Sequence, residues 1–171
     1  LGAASDPEPM VRAAAVRTLG SLDQRDERVL AVLMARLVDD TRVVRTRAAE
    51  SLLALDVSTA PGRAGEALAR AQQDLATSLR SFPESAEMQA TLAWLHAQRG
   101  EDAEAARVVE AALALDPSAA RPYVIRGVLF ARAGRFSDAL ASWKAARDRD
   151  PATPNIDRMI DEATRRLAAP P

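Results

Sequence analysis

Residues 86–119 read AEMQATLAWLHAQRGEDAEAARVVEAALALDPSA, and residues 120–153 read ARPYVIRGVLFARAGRFSDALASWKAARDRDPAT. Placed one above the other, they keep a common interval of 34 residues: Gly100 and Gly134, Ala105 and Ala139, Ala112 and Ala146, Pro117 and Pro151. Pro83 stands one interval before Pro117, and Val109 holds the place that Trp143 holds in the next copy. A fixed period of this size is the signature of stacked copies of one supersecondary unit. Such an array is quasi-one-dimensional and displays an extended surface rather than a closed pocket.

The side chains at these positions have physical reasons to recur. Small residues at Ala93, Gly127, Ala105 and Ala139 let the two helices of a pair approach closely. Phe130 and Trp143 supply the bulk that fills the space between pairs. Gly100 and Gly134 suit a left-handed turn after a helix. Asp116-Pro117 and Asp150-Pro151 stop one helix and prepare the next, because the residue before a proline is driven out of the helical region.

The two units resemble tetratricopeptide repeats. The resemblance rests on Leu92-Ala93, His96, Gly100, Ala105, Val109, Ala112 and Pro117, and on Tyr123, Gly127, Phe130, Gly134, Ala139, Trp143, Ala146 and Pro151. Arg126 stands where that family has leucine, and Gln89 where it has an aromatic residue. Residues 66–83 match only the second half of a unit, through Ala71, Leu75 and Pro83. Residues 155–167 match a lone first helix, whose Asp157, Asp161, Arg165 and Arg166 suit a solubilising cap. The resemblance implies a right-handed superhelix with a groove lined by the first helix of each pair. It would carry Glu87, Ala90, Trp94, Gln98, Arg121, Val124, Val128, Arg132, Arg158 and Arg165. We take Trp94, Gln98, Arg121, Val128, Arg132, Arg158 and Arg165 as the partner-binding candidates. Arginines favour an acidic peptide or a carboxylate. Trp94 either anchors such a partner or packs against the next helix.

The first third of the chain has a period of its own. Val11-Arg12 matches Val44-Arg45, and Ala15, Leu19 and Leu22 match Ala48, Leu52 and Leu55, each 33 residues on. Asp6-Pro7 and Asp39-Asp40-Thr41 are helix-start signals. Val29, Leu30, Leu33, Met34 and Leu37 form the stripe of an amphipathic helix. The pattern predicts helices at about 7–22, 26–38 and 41–55, then a longer one at about 66–81. The segments Asp-Pro-Glu-Pro-Met-Val-Arg-Ala-Ala-Ala-Val-Arg and Asp-Thr-Arg-Val-Val-Arg-Thr-Arg-Ala-Ala-Glu-Ser-Leu resemble the second helix of a HEAT repeat. That resemblance implies structural bonds between Asp6 or Asp39 and Arg12 and Arg45 of neighbouring repeats. Pro61-Gly62 and Gly65 interrupt both patterns. The expected organisation is an all-α helical-repeat solenoid: a HEAT-like segment over 1–56, a linker over 57–65, and a tetratricopeptide array with a capping helix over 66–171.

Composition removes several classes of function. The chain has no cysteine, so within it there is no disulfide, thiolate metal site, covalent haem attachment or cysteine nucleophile. A net charge of −1 argues against an electrostatic nucleic-acid binder. No stretch is apolar and long enough to span a bilayer. His96, the single histidine, has no second histidine or cysteine to join it, so packing is the favoured role. No glycine-rich phosphate loop or Gly-x-Ser-x-Gly motif occurs. The expectation is a non-catalytic module that binds a protein or peptide, or another region of its own chain, and holds no cofactor. The single lysine among many arginines fits GC-rich bacterial coding, and a start at Leu1 without methionine fits a piece of a longer protein. HEAT-like helices leading into tetratricopeptide repeats, in arginine- and alanine-rich sequence, also resemble the C-terminal region of some bacterial multihaem c-type cytochromes. That would place haem c on Cys-x-x-Cys-His motifs upstream and the protein in the periplasm.

Overall fold

A computed structural model describes residues 1–22 and 26–168. Among the described residues there are nine α-helices and two short 3-10 turns, and no strand. In chain order these are η1 (Gly2–Ser5), α1 (Pro9–Gly20), α2 (Glu27–Ala35), η2 (Arg36–Val38), α3 (Arg42–Ala54), α4 (Gly62–Arg80), α5 (Ala86–Gln98), α6 (Asp102–Leu115), α7 (Ala120–Arg132), α8 (Phe136–Arg149) and α9 (Ile156–Ala168). The chain forms two compact units, Leu1–Ser78 and Leu79–Pro171.

By packing, the division between these units falls inside α4. Most of α4 is bonded to the first unit: Gln72 Nε2 donates to the Ser58 carbonyl at 3.1 Å, and Arg45 pairs with Asp74 at 3.1 Å. The helix also starts earlier than expected and includes Gly65. That glycine is required by contact rather than by a turn: a Cβ there would lie 2.1 Å from the Ala60 carbonyl oxygen.

In the first unit the helix starts are displaced from those expected. Asp6-Pro7 does not begin α1. The Asp6 carboxylate instead accepts the Glu8 N–H at 2.9 Å, closing a side-chain turn. Glu8 is extended, as suits a residue before proline, and Pro9 takes the first helical turn, where its missing N–H costs nothing. One period on, Asp39 Oδ1 accepts the Thr41 N–H at 3.0 Å and α3 begins at Arg42. The region expected as a helix over 26–38 ends in the 3-10 turn η2.

Arg12 joins the two copies. Its Nε and Nη2 donate to the two Asp39 oxygens at 2.9 and 2.8 Å, and Nη2 also donates to Asp40 at 2.9 Å. Its Nη1 donates to the carbonyls of Asp6 and Pro7 at 2.9 and 3.0 Å. All five guanidinium N–H groups are thereby engaged in a side chain that is only 10% exposed. This is the bond that the HEAT resemblance implied, and Arg45 repeats it one copy later. Its Nη1 caps the Asp39 and Asp40 carbonyls while its Nη2 reaches Asp74. The helices behind these clasps are close-packed. A Cβ on Gly20 would fall 2.4 Å from Ser51 Cβ, and the Ser51 hydroxyl donates to the Val16 carbonyl at 3.0 Å.

The second unit stacks α5/α6, α7/α8 and α9. Gly100 and Gly134 both have φ +74°, the left-handed conformation expected of them. Each closes a helix by the same pair of bonds: Glu101 N–H to the His96 carbonyl and Gly100 N–H to Ala97, then Arg135 N–H to Phe130 and Gly134 N–H to Ala131. Gly127 is fixed by a neighbour instead. A Cβ there would lie 2.3 Å from Trp143 Nε1, which donates to the Val124 carbonyl of α7 at 3.1 Å. The preceding copy places Ala93 and Val109 at the same two positions, both fully buried. A small residue at the first position and a larger one at the second thus recur in both copies. Ile156, Ile160 and Ala163 of α9 close the cluster around Trp143.

This packing sets the cost of changing either member of the pair. Gly127→Ala should cost roughly 1–3 kcal/mol by overpacking, and Trp143→Ala about 3–5 kcal/mol by leaving a cavity. The pair Gly127→Ala, Trp143→Val, which copies the preceding repeat, should cost measurably less than the sum of its single variants in urea melts. Simple additivity would show that the two side chains do not share one space.

Acid should act on the first unit through Asp39. Burial raises its carboxyl, but the Arg12 hydrogen bond and the Thr41 N–H outweigh it and hold the group down at about 2, against 3.8 ordinarily. A carboxylate depressed on folding stabilises fully above the unfolded value and loses that contribution as pH falls through the folded one. The stability gap between the natural chain and Asp39→Asn, followed by circular dichroism in urea, should therefore close as pH drops from near 4 towards 2. A gap independent of pH over that range would show that ionisation of Asp39 contributes nothing.

Candidate interaction surface

The first helices of the second unit, α5, α7 and α9, carry every partner-binding candidate. Trp94 and Gln98 lie one turn apart on α5 and are half-buried. On α7, Val124 and Val128 are half-buried, while Arg121 and Arg132 near its ends are exposed. Arg158 and Arg165 on α9 are exposed. Ala90 is buried and offers a partner nothing, whereas Glu87 is exposed.

Two of the candidate arginines serve the fold. Arg121 Nη1 donates to the Thr91 hydroxyl at 3.1 Å, linking α7 to α5. At the other end of α7, Arg132 Nη1 donates to the Ala97 carbonyl at 2.5 Å and pairs with Asp102 at 3.0 Å. A cation on the last carbonyls of α5 is also favoured by the helix dipole. Thr91 and Asp102 carried no sequence signal on their own. The available clue was their spacing, 30 residues before Arg121 and Arg132 respectively.

The arginines of α9 differ from one another. Arg165 and Arg166 share Glu162, at 2.7 and 2.9 Å, and their hydrogen bonds hold its carboxyl below the usual carboxylate range. Arg158 makes no ion pair or hydrogen bond among the described residues. It lines a cleft of about 440 Å³ together with Trp143, Met159, Glu162 and Arg165. This cleft has an aromatic edge, a thioether and a cation with unused donors, a combination suited to an apolar residue flanked by a carboxylate.

Three other side chains singled out in the sequence have structural surroundings. His96 is buried, with Nδ1 2.5 Å from the Glu101 carboxylate at the turn that follows its own helix. Gln89 is buried and donates to the Phe82 carbonyl at 3.4 Å. Arg126 is accommodated in place of leucine by stacking over Tyr123, 4.8 Å from the ring centre, and by Glu110 at 3.6 Å. Arg149 stacks on the same ring at 3.9 Å. No group of three or more histidines or carboxylates is placed to hold a metal ion among the described residues. No described helix is long and apolar enough to cross a membrane.

Comparison with known proteins agrees with this architecture. Residues 1–53 match the family model for HEAT repeats, and residues 62–120 match that for the tetratricopeptide repeat. The fold is shared with the solved structure of a mutant of MamA, at 18% identity and a TM-score of 0.51 over 94% of this chain and 91% of that one. No curated protein matches the sequence. The described residues are thus all-helical, with HEAT-type repeats matched over 1–53 and tetratricopeptide-type repeats over 62–120, architectures that serve in general as scaffolds for protein–protein interaction.

The division of labour among the arginines is testable without a ligand. Arg132→Ala should lower the urea midpoint, since it leaves the end of α5 without its cation. Arg158→Ala should leave the midpoint unchanged. Equal effects from the two variants would contradict this assignment.

Proposed function

We propose that the chain is a non-catalytic interaction module and that the α5–α7–α9 face of its second unit holds a short acidic segment of a protein. The observation that carries this reading is the half-buried Trp94, Val124 and Val128 on successive first helices, with the exposed Arg158 on the third. A half-buried aromatic with aliphatic neighbours supplies contact area at low entropic cost, and a guanidinium with unused donors supplies orientation. Arg121 and Arg132 contribute by fixing the spacing of α5 and α7, and Gln98 and Arg165 border the path. Affinity should weaken as salt rises, because the charges lie at an exposed surface.

The order of the two repeat types also keeps a second reading in view, that of a helical scaffold in a longer exported electron-transfer protein. The likeness to multihaem cytochromes rests on that order. Haem c would be attached outside these residues, since the chain has no cysteine. Signal-peptide and Cys-x-x-Cys-His motifs in the full reading frame would support it, and a frame without them would end it.

An array of acidic, neutral and basic peptides probed with the natural chain and with a Trp94→Ala, Arg158→Glu variant tests the principal reading. Acidic peptides should be retained by the natural chain, and the variant should lose them at least about tenfold, the scale expected for one anchor and one charge-assisted bond. Equal retention by both chains would rule out this face.

A further inference from the structure

We propose that the outer face of α1 is a docking surface for one further HEAT-type helix, joined in cis and carrying an arginine for Asp6. The α1–α3 interface supplies the template. Val44, Ala48 and Ser51 of α3 and its C-cap residue Leu55 form one stripe, and Ser51 in its middle is bonded to Val16 of α1. The four residues are 0, 0, 5 and 7% exposed. One period earlier the same stripe is Val11, Ala15, Thr18 and Leu22. There Val11 and Leu22 are 40% and 46% exposed, Thr18 is exposed, and Ala15 is half-buried. The same stripe is thus covered in one copy and open in the other.

The polar groups show the same asymmetry. Ser51 donates across the interface, whereas Thr18 donates back to the Ala14 carbonyl of its own helix at 3.0 Å. Asp39 and Asp6 make the same turn with the N–H two residues on. Asp39 also receives the Arg12 fork, whereas no guanidinium donates to the Asp6 carboxylate among the described residues. The occupant is therefore specified. It presents an arginine one period before Arg12, a glycine or alanine opposite Thr18 as Gly20 stands opposite Ser51, and apolar residues over Val11 and Leu22. The link in cis follows from η1, which repeats η2: Ala4 and Leu37 are buried at 0 and 2%, one period apart. Since η2 is the last turn of the helix that leads into α3, η1 is the corresponding turn leading into α1.

The test extends the full chain by a second copy of residues 1–33, fused in frame before Leu1, so that the 33-residue period is preserved. Hydrogen exchange followed by mass spectrometry should show amides across Val11–Leu22 of the original copy slowed by at least about tenfold, as newly covered backbone is. The slowing should be lost with Leu22→Glu in the original copy, and separately with Arg12→Ala in the added copy. Leu22→Glu in the unextended chain, where the side chain is exposed, should leave its melting unchanged. An added copy that exchanges like unfolded chain would overturn the proposal, as would slowing that survives both substitutions. Concentration-dependent dimerisation of the unextended chain, abolished by Leu22→Glu, would overturn it too, by showing that the stripe pairs with itself.

Discussion

The contact on which the first unit depends is the fork of Arg12 on Asp39. A helix pair cannot bury its apolar face alone; it needs its neighbour, and the neighbour needs a fixed register. Arg12 provides both conditions with one side chain, gripping the carbonyls that precede its own helix and the carboxylate that precedes the next. Burying a guanidinium and a carboxylate costs several kcal/mol, and only full hydrogen bonding offsets it. Every N–H of Arg12 is used, so the pair is tolerated where it lies and is strongly directional.

The same device recurs in the second repeat type with different chemistry. Arg121 and Arg132 reach back from α7 to a hydroxyl, a helix-terminal carbonyl and a carboxylate on the preceding pair. Behind them the fit is steric, with Trp143 lying where Gly127 has no side chain. Arginine richness in this chain thus has a mechanical component. Several guanidiniums clasp one copy to the next, and fewer are left for a partner than the sequence suggests. What remains on the α5–α7–α9 face is chiefly Trp94, two valines and Arg158, a smaller and more apolar surface than a row of arginines.

Much of the fold was legible in the sequence because periodicity is a local signal. Gly100 and Gly134 required a left-handed turn and adopt one, and the two periods agree with two family matches. The Arg12–Asp39 bond was legible only through family resemblance, since 27 residues separate the partners. The start of α1 was displaced from Asp6-Pro7 to Pro9, because a side-chain turn competes with helix capping there and wins. Gly65 suggested a break because its reason lies in the approach of the Ala60 carbonyl, a tertiary contact. The candidate site was legible as a face and not as a chemistry. Sequence gives the helix position of Arg132 but does not say that its donors already reach Ala97 and Asp102.

Side chains reaching across one period hold the copies in register. A double-mutant cycle on Arg12→Ala and Asp39→Ala, read by urea unfolding at neutral pH, measures this most directly. Strong coupling is the predicted result: either substitution alone leaves a desolvated charge without its main hydrogen-bonding partner, so the double variant should be little worse than the worse single one. Additive losses would contradict it, because they would mean that Arg12 and Asp39 stabilise the fold independently and that the register is set elsewhere.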